Sequence, residues 1–139
     1  MKQIVLVGGC FDLLHFGHIS FLKQAKALGE YLVVALESDE NVRRMKGNAR
    51  PVHIQSQRKE MLESLSFVDE VIALPPMLGD RDYYELVRKI KPSIIAVTRG
   101  DAAIVKKTEQ ATEVGAKLIE IPKIHTPSTS QLSKLLGLE

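Results

Sequence analysis

The chain has one cysteine and no tryptophan in 139 residues. A single thiol cannot build an intrachain disulfide framework, so an intracellular, cytoplasmic location is the expectation. Aromatic residues make up only 5%, which argues against a stacking platform for single-stranded nucleic acid. Neither sign of charge dominates. Nineteen Lys and Arg face seventeen Asp and Glu, a formal net of +2, and that balance excludes a long basic track for nucleic acid or a polybasic membrane face. No apolar run approaches the ~18 residues needed to cross a bilayer. The Ile4–Val7 run is too short for a signal peptide and ends at once in a glycine pair. Internal repeats, low-complexity tracts and linkers are also missing.

What is present is an ordinary globular composition, 45% hydrophobic and 26% charged. The length predicts one domain over residues 1–139, large enough to bury roughly two-thirds of its unfolded surface. Short β-branched runs (Gln3–Val7, Tyr31–Leu36, Glu70–Leu74, Ser93–Val97 and Lys117–Ile121) are continuously apolar inside, as strands covered on both faces are. Helix-period stretches lie between and after them: His18–Leu28, Gln55–Leu65, Tyr83–Ile90, Ala102–Val114 and Ser128–Leu136, with Gly29, Pro92 and Gly115 as stops. This alternation predicts an α/β fold, a single doubly wound, Rossmann-like parallel sheet of five strands with helices on both faces. Ligands of such sheets sit beyond the C-terminal strand ends. That directs attention to Gly8–His18, Glu37–Lys46, Thr98–Asp101 and Pro122–Ser130.

The first of these segments reads Gly8-Gly9-Cys10-Phe11-Asp12-Leu13-Leu14-His15-Phe16-Gly17-His18. The glycine pair lets a ligand approach the backbone, and His15 and His18 flank Gly17 in the first turn of the following helix. Free N–H groups there attract anions, and two imidazoles can add hydrogen bonds to a phosphoryl transition state. A zinc site lacks a third ligand beside these histidines. Neither the dinucleotide nor the P-loop glycine pattern is met.

Gly9–His18 closely resembles the HxGH signature of the small nucleotidyltransferases: heptose-1-phosphate adenylyltransferases, archaeal FAD synthetases, and cytidylyltransferases for glycerol 3-phosphate, phosphocholine and phosphoethanolamine. The likeness extends over essentially the whole chain. Glu37–Gly47, Arg50-Pro51-Val52 and Gln57-Arg58 resemble the heptose-type enzymes in particular. Thr98-Arg99-Gly100-Asp101 resembles the loop that helps form the base pocket, and is equally an ordinary turn and cap. Thr126–Leu132 is similar to the second signature, a hydroxyl-rich turn opening the last helix, where N-capping and phosphate binding are compatible roles. Pro127 stands where many relatives have Ile or Gly-Ile. The arginine ending that signature aligns with Ser133, next to Lys134, and Lys123 takes the place of an upstream basic residue.

The resemblance implies an enzyme that transfers a nucleoside monophosphate from ATP or CTP to a phosphorylated acceptor and releases pyrophosphate. His15, His18 and Lys46 are the implied catalytic residues. Gly8, Gly9, Cys10, Phe11, Gly17, Arg58, Gly100, Asp101, Ser128, Thr129 and Ser130 are the implied nucleotide-binding residues. Mg²⁺ would accompany the triphosphate without a protein cage. Asp12 is open to a structural or a catalytic role, and Arg43 and Arg44 fit a solvated helix face. The first expectation for the acceptor is a heptose-like sugar phosphate. FMN is next and a polyol phosphate third. A homodimer is implied, without nucleic-acid or membrane partners. A nucleotide-binding module without catalysis is the rival reading.

Overall fold

The computed structural model describes residues 2–138. Along the chain it forms β1 (Ile4–Gly9), α1 (Phe16–Ala27), β2 (Tyr31–Leu36), α2 (Asp39–Lys46), α3 (Gln55–Glu63) and β3 (Glu70–Ala73). It continues through α4 (Asp80–Ile90), β4 (Ile94–Thr98), α5 (Ile104–Val114), β5 (Lys117–Ile121) and α6 (Thr129–Leu135). The five strands make one sheet in the order β3-β2-β1-β4-β5, and every pairing is parallel.

Strand periodicity sorts the core into two layers. Val5 and Val7 of β1, with Val34 and Leu36 of β2, pack with Leu22 and Ala25 of α1 and Leu62 of α3 on one face. Leu6, Val33 and Ala35 point the other way, toward Val87 of α4 and Ala111 of α5. The expected helices on both faces are therefore present. The chain builds outward from β1 to β3, then crosses back to β4 on the opposite side. β1 thus lies at the reversal of strand order, where its C-terminal end opens between diverging loops. Among the described residues no helix is long and apolar enough to cross a membrane.

Two local features depart from the sequence expectation. α2 is a helix of its own, capped by Ser38, with Asp39 and Glu40 in its first turn and Arg43, Arg44 and Lys46 in its last. The charges suit the helix dipole, but only Asn41 and Val42 are buried, so the apolar period was too sparse to mark it. α1 begins two residues before the expected His18, because His15 is its N-cap.

Gly29 ends α1 as expected, for a different reason. It is absent from the positive-φ glycines, whereas Gly115 (φ 73°) takes the left-handed cap conformation. A Cβ at Gly29 would lie 2.8 Å from the Gln3 carbonyl oxygen and 2.7 Å from Val5 Cγ2. The glycine permits close approach of helix end and strand. Gly29→Ala should destabilise the fold by about 1–3 kcal/mol through this overpacking, read as a lower urea midpoint; an unchanged midpoint would show that the seam adjusts freely.

Candidate active site

A cleft of about 800 Å³ opens at the C-terminal ends of the strands and is walled by the loops after β1, β2, β4 and β5. The loop after β1 is built under strain. Phe11 (φ 45°) and Leu13 (φ 54°) both adopt left-handed backbone, at roughly 1–2 kcal/mol each. The Phe11 ring covers Gly9, where a Cβ would come within 2.9 Å of it. It also packs tilted against His18, with ring centroids 5.4 Å apart.

The two histidines cap α1 reciprocally. The Gly17 N–H donates to His15 Nδ1 (2.9 Å) and the His15 N–H donates to His18 Nδ1 (3.3 Å). Both Nδ1 atoms act as acceptors, which assigns the proton of each neutral ring to Nε2. The rings lie 4.0 Å apart. Desolvation, reinforced by the neighbouring His15, brings the His18 pKa down to about 4, and desolvation lowers His15 as well. At neutral pH the pair is therefore two uncharged N–H donors on the cleft wall. A Cβ on Gly17 would strike His15 Cε1 at 2.6 Å, so glycine between them is a steric requirement.

Asp12 fastens this loop. Its fully buried carboxylate accepts from Arg50 Nε (2.7 Å), the Val52 N–H (2.7 Å) and the His53 N–H (3.0 Å). Burial acts to raise its pKa, but the two amides and the guanidinium outweigh it and hold the carboxyl below the usual carboxylate range. These bonds give Asp12 a structural role in the loop. Arg50, itself only 3% exposed, lines the cleft and extends Nη1 to 3.5 Å from Ser130 Oγ. Thr129 Oγ1 meets the Leu13 carbonyl at 3.4 Å, so the start of α6 rests on the β1–α1 loop. Ser133, aligned with the signature arginine, is buried and its hydroxyl has no hydrogen-bond partner among the described residues. Arg50, which the sequence marked only within Arg50-Pro51-Val52 and without a role, brings a guanidinium to this end of the cleft from a different segment.

Most of the expected residues converge. Gly8, Gly9, Cys10, Phe11, His15, Gly17, His18, Lys46, Gly100, Asp101, Ser128, Thr129 and Ser130 all line the cleft, together with Lys123. Lys46 is the exposed last residue of α2. Ser128 caps α6 and accepts from the Gln131 N–H. Burial works to raise the Asp101 carboxyl, but Lys107 Nζ (2.8 Å) and the Ala103 N–H (2.8 Å) hold it down. Burial pushes the Cys10 thiol up, which leaves it a neutral contact rather than a thiolate nucleophile.

Arg58 must be corrected. It is 1% exposed and lies outside the cleft lining. Its guanidinium donates to the carbonyls of Cys10 (2.7 Å) and His53 (2.9 Å) and to Asp39 Oδ1 (2.7 Å). It braces the loop from below, because a buried guanidinium must spend its donors on fixed acceptors. Glu37 and Tyr83 also line the cleft; Glu37 opens a segment the sequence pointed to, but nothing local paired it with Tyr83.

Residues 6–129 match the model of the cytidylyltransferase-like family. The chain belongs to this family. It is 42% identical over 138 residues to the FAD synthase of Thermococcus onnurineus, an alignment covering 97% of this chain and 89% of that protein. It is 38% identical over 133 residues to the bifunctional protein HldE of Koribacter versatilis, covering 94% of this chain but only 26% of that longer protein. Among solved structures, the lipopolysaccharide core biosynthesis protein of Thermoplasma volcanium superposes with a TM-score of 0.74 at 27% identity, over 89% of this chain and 99% of that one. Pantoate-β-alanine ligase from Francisella tularensis shares the fold at TM-score 0.62 and 18% identity, over 91% of this chain and 61% of that one. The chain is accordingly a nucleotidyltransferase.

Two outcomes follow from the site geometry. The unfolded chain protonates its histidines near pH 6.5, whereas folded His18 resists until about pH 4. The stability His18 confers is therefore complete above pH 6.5 and lost as pH falls from there toward 4. Thermal melts should show that loss, and His18→Gln should flatten it; a His18 resonance titrating near 6.5 in the free protein would contradict it. Asp12→Asn, which removes the charge at the hub of the buried pair, should cost on the order of 3 kcal/mol in denaturant melts. A loss below 1 kcal/mol would show that the loop holds itself.

Proposed function

We propose that this chain transfers AMP from ATP to the phosphate of a heptose-like sugar 1-phosphate, as one catalytic domain over residues 1–139. The observation that carries the reading is the pair of imidazoles held as Nε2–H donors at the head of α1, in the cleft wall at the reversal of strand order. An oxygen of the acceptor phosphate attacks the α-phosphorus in line. The new O–P bond forms as the bond from the α-phosphorus to the bridging oxygen breaks, and pyrophosphate leaves with that electron pair. No covalent enzyme intermediate and no general base are required, since the attacking oxygen is already anionic. His15 and His18 donate to the α- and β-phosphates, where charge accumulates. Lys46, a mobile point charge, meets the departing pyrophosphate. Ser128, Thr129 and Ser130 face its other side, backed by Arg50, while Gly100 and Asp101 bound the base pocket.

No three His, Cys, Asp or Glu converge as a metal cage among the described residues. Mg²⁺ fits as part of the nucleotide substrate, held by phosphate oxygens and water, where it neutralises phosphate charge. The enzyme is proposed to work in the cytoplasm as a homodimer, in keeping with exposed apolar side chains such as Phe16, Leu78 and Leu135.

A second reading, with FMN as acceptor, is favoured by the FAD synthase relative, which aligns along nearly its whole length. Pyrophosphate release with ATP or CTP against a heptose 1-phosphate, FMN and glycerol 3-phosphate separates them. Turnover is expected with ATP and the heptose phosphate, and turnover with FMN alone would select the second reading. Nucleotide binding without turnover on any acceptor would overturn both and leave a binding module. His18→Ala should slow the reaction at least ~100-fold if the imidazole stabilises the transition state, and near-wild-type rates would remove it from that role.

A further inference from the structure

The mechanism above leaves one buried charge unused. Glu37 follows directly on β2, and its N–H donates to the Gly9 carbonyl (3.0 Å), which sets it level with the start of the phosphate loop. It is only 7% exposed, yet it lines the cleft. Among the described residues, its carboxylate receives a hydrogen bond from Tyr83 alone, whose hydroxyl lies 2.8 Å from Oε2 and 3.0 Å from Oε1. One hydroxyl carries one proton, whereas a carboxylate offers about four lone-pair sites. Burial pushes the Glu37 carboxyl up; the bond from Tyr83 opposes this, and Lys107, Arg58 and Arg44 oppose it through space only. Their hydrogen bonds run to Asp101, to the carbonyls of Cys10 and His53 with Asp39, and to the Met77 carbonyl. A buried carboxylate with most of its acceptor capacity idle is costly.

The surroundings hold Glu37 in place. Ser38 caps α2. Buried Asn41 bonds the Met77 backbone through both amide atoms (3.1 and 3.0 Å). Gln55 Nε2 ties the Leu36 and Leu74 carbonyls together (3.0 and 2.9 Å). Burial, then the bond to Glu37, raises the Tyr83 hydroxyl well above its ordinary value, so it remains the donor of the pair. Sheet order gives the direction. Glu37 follows β2 on one side of β1, while Gly100, Asp101 and Ser128–Ser130 follow β4 and β5 on the other. With the nucleotide over β4 and β5, the second substrate takes the β2 side.

We infer that Glu37, oriented by Tyr83, is the acceptor-specificity residue: it accepts hydrogen bonds from hydroxyl groups on the carbon skeleton of the phosphorylated acceptor. The same carboxylate repels a second anionic group at that position. The acceptor class is thus a phosphate monoester with free hydroxyls beside the phosphate and no further charge there. This inference rests on the nucleotidyltransferase reading of the cleft.

The test is steady-state kinetics of pyrophosphate release with ATP and whichever acceptor the wild type turns over. A deoxy analogue of that acceptor, lacking one hydroxyl, is run in parallel. Glu37→Gln keeps the shape but weakens the acceptor. It should lower kcat/KM for the acceptor about 10- to 100-fold, with KM for ATP unmoved. The deoxy analogue should cost the wild type a similar factor and cost the variant little. Tyr83→Phe, which keeps the carboxylate and loses its orientation, should show the same pattern at about 3- to 10-fold, and serves as the readout if Glu37→Gln does not fold. A parallel rise in KM for ATP, an unmoved acceptor parameter, or equal discrimination against every deoxy analogue by wild type and variant would overturn the assignment while leaving the reaction class intact. Wild-type protein that turns over no acceptor removes the transferase reading and this inference together.

Discussion

The architecture of the site hangs on the buried carboxylate of Asp12. It gathers three donors from the segment 50–53, and by doing so locks the loop after β1 to a stretch of chain nearly forty residues away. The strained conformations of Phe11 and Leu13 on either side persist because these bonds over-determine them. The guanidinium drawn in by Asp12 faces the start of α6, while Arg58 braces the same loop through the Cys10 carbonyl. A buried negative charge is adverse by itself. Paired inside the protein, it instead orients a cation toward the cleft.

The histidines show structure and chemistry sharing the same atoms. By accepting backbone N–H groups at the head of α1, the two Nδ1 atoms complete a helix cap and leave Nε2–H as the available donor. Desolvation keeps the rings neutral at pH 7, so they serve the cleft wall as uncharged donors. Protonating either Nδ1 would break the cap. The acid sensitivity of the fold and the donor chemistry of the site thus have one origin.

Membership of the cytidylyltransferase-like family defines the reaction class more sharply than the acceptor, since the relatives named FAD synthase and HldE are of similar identity to this chain. Discrimination between acceptors must come from groups outside the shared signature, and in this cleft Glu37, bonded by Tyr83, follows β2 on the other side of β1 from the loops after β4 and β5.

The sequence by itself determined the α/β class, the glycine-rich loop after β1 and the histidine pair. Strand interiors declare themselves by continuous apolar runs, and the chemistry of Gly9–His18 is contiguous, so local spacing carries it. The convergence of the loops after β1, β4 and β5 was also legible, because a parallel sheet places successive strand ends on one edge. The separate helix α2 was obscured by its sparse apolar pattern, although its caps and charges were in view. Arg50 and Arg58 are chemically alike and eight positions apart, yet one lines the cleft and the other lies buried beneath it. Only the tertiary structure decides between them, because the deciding partners, Asp12 for one and the Cys10 carbonyl for the other, come from the β1–α1 loop. Glu37 and Tyr83 are the same case: 46 residues apart in sequence, they become a pair only when α4 packs against the sheet.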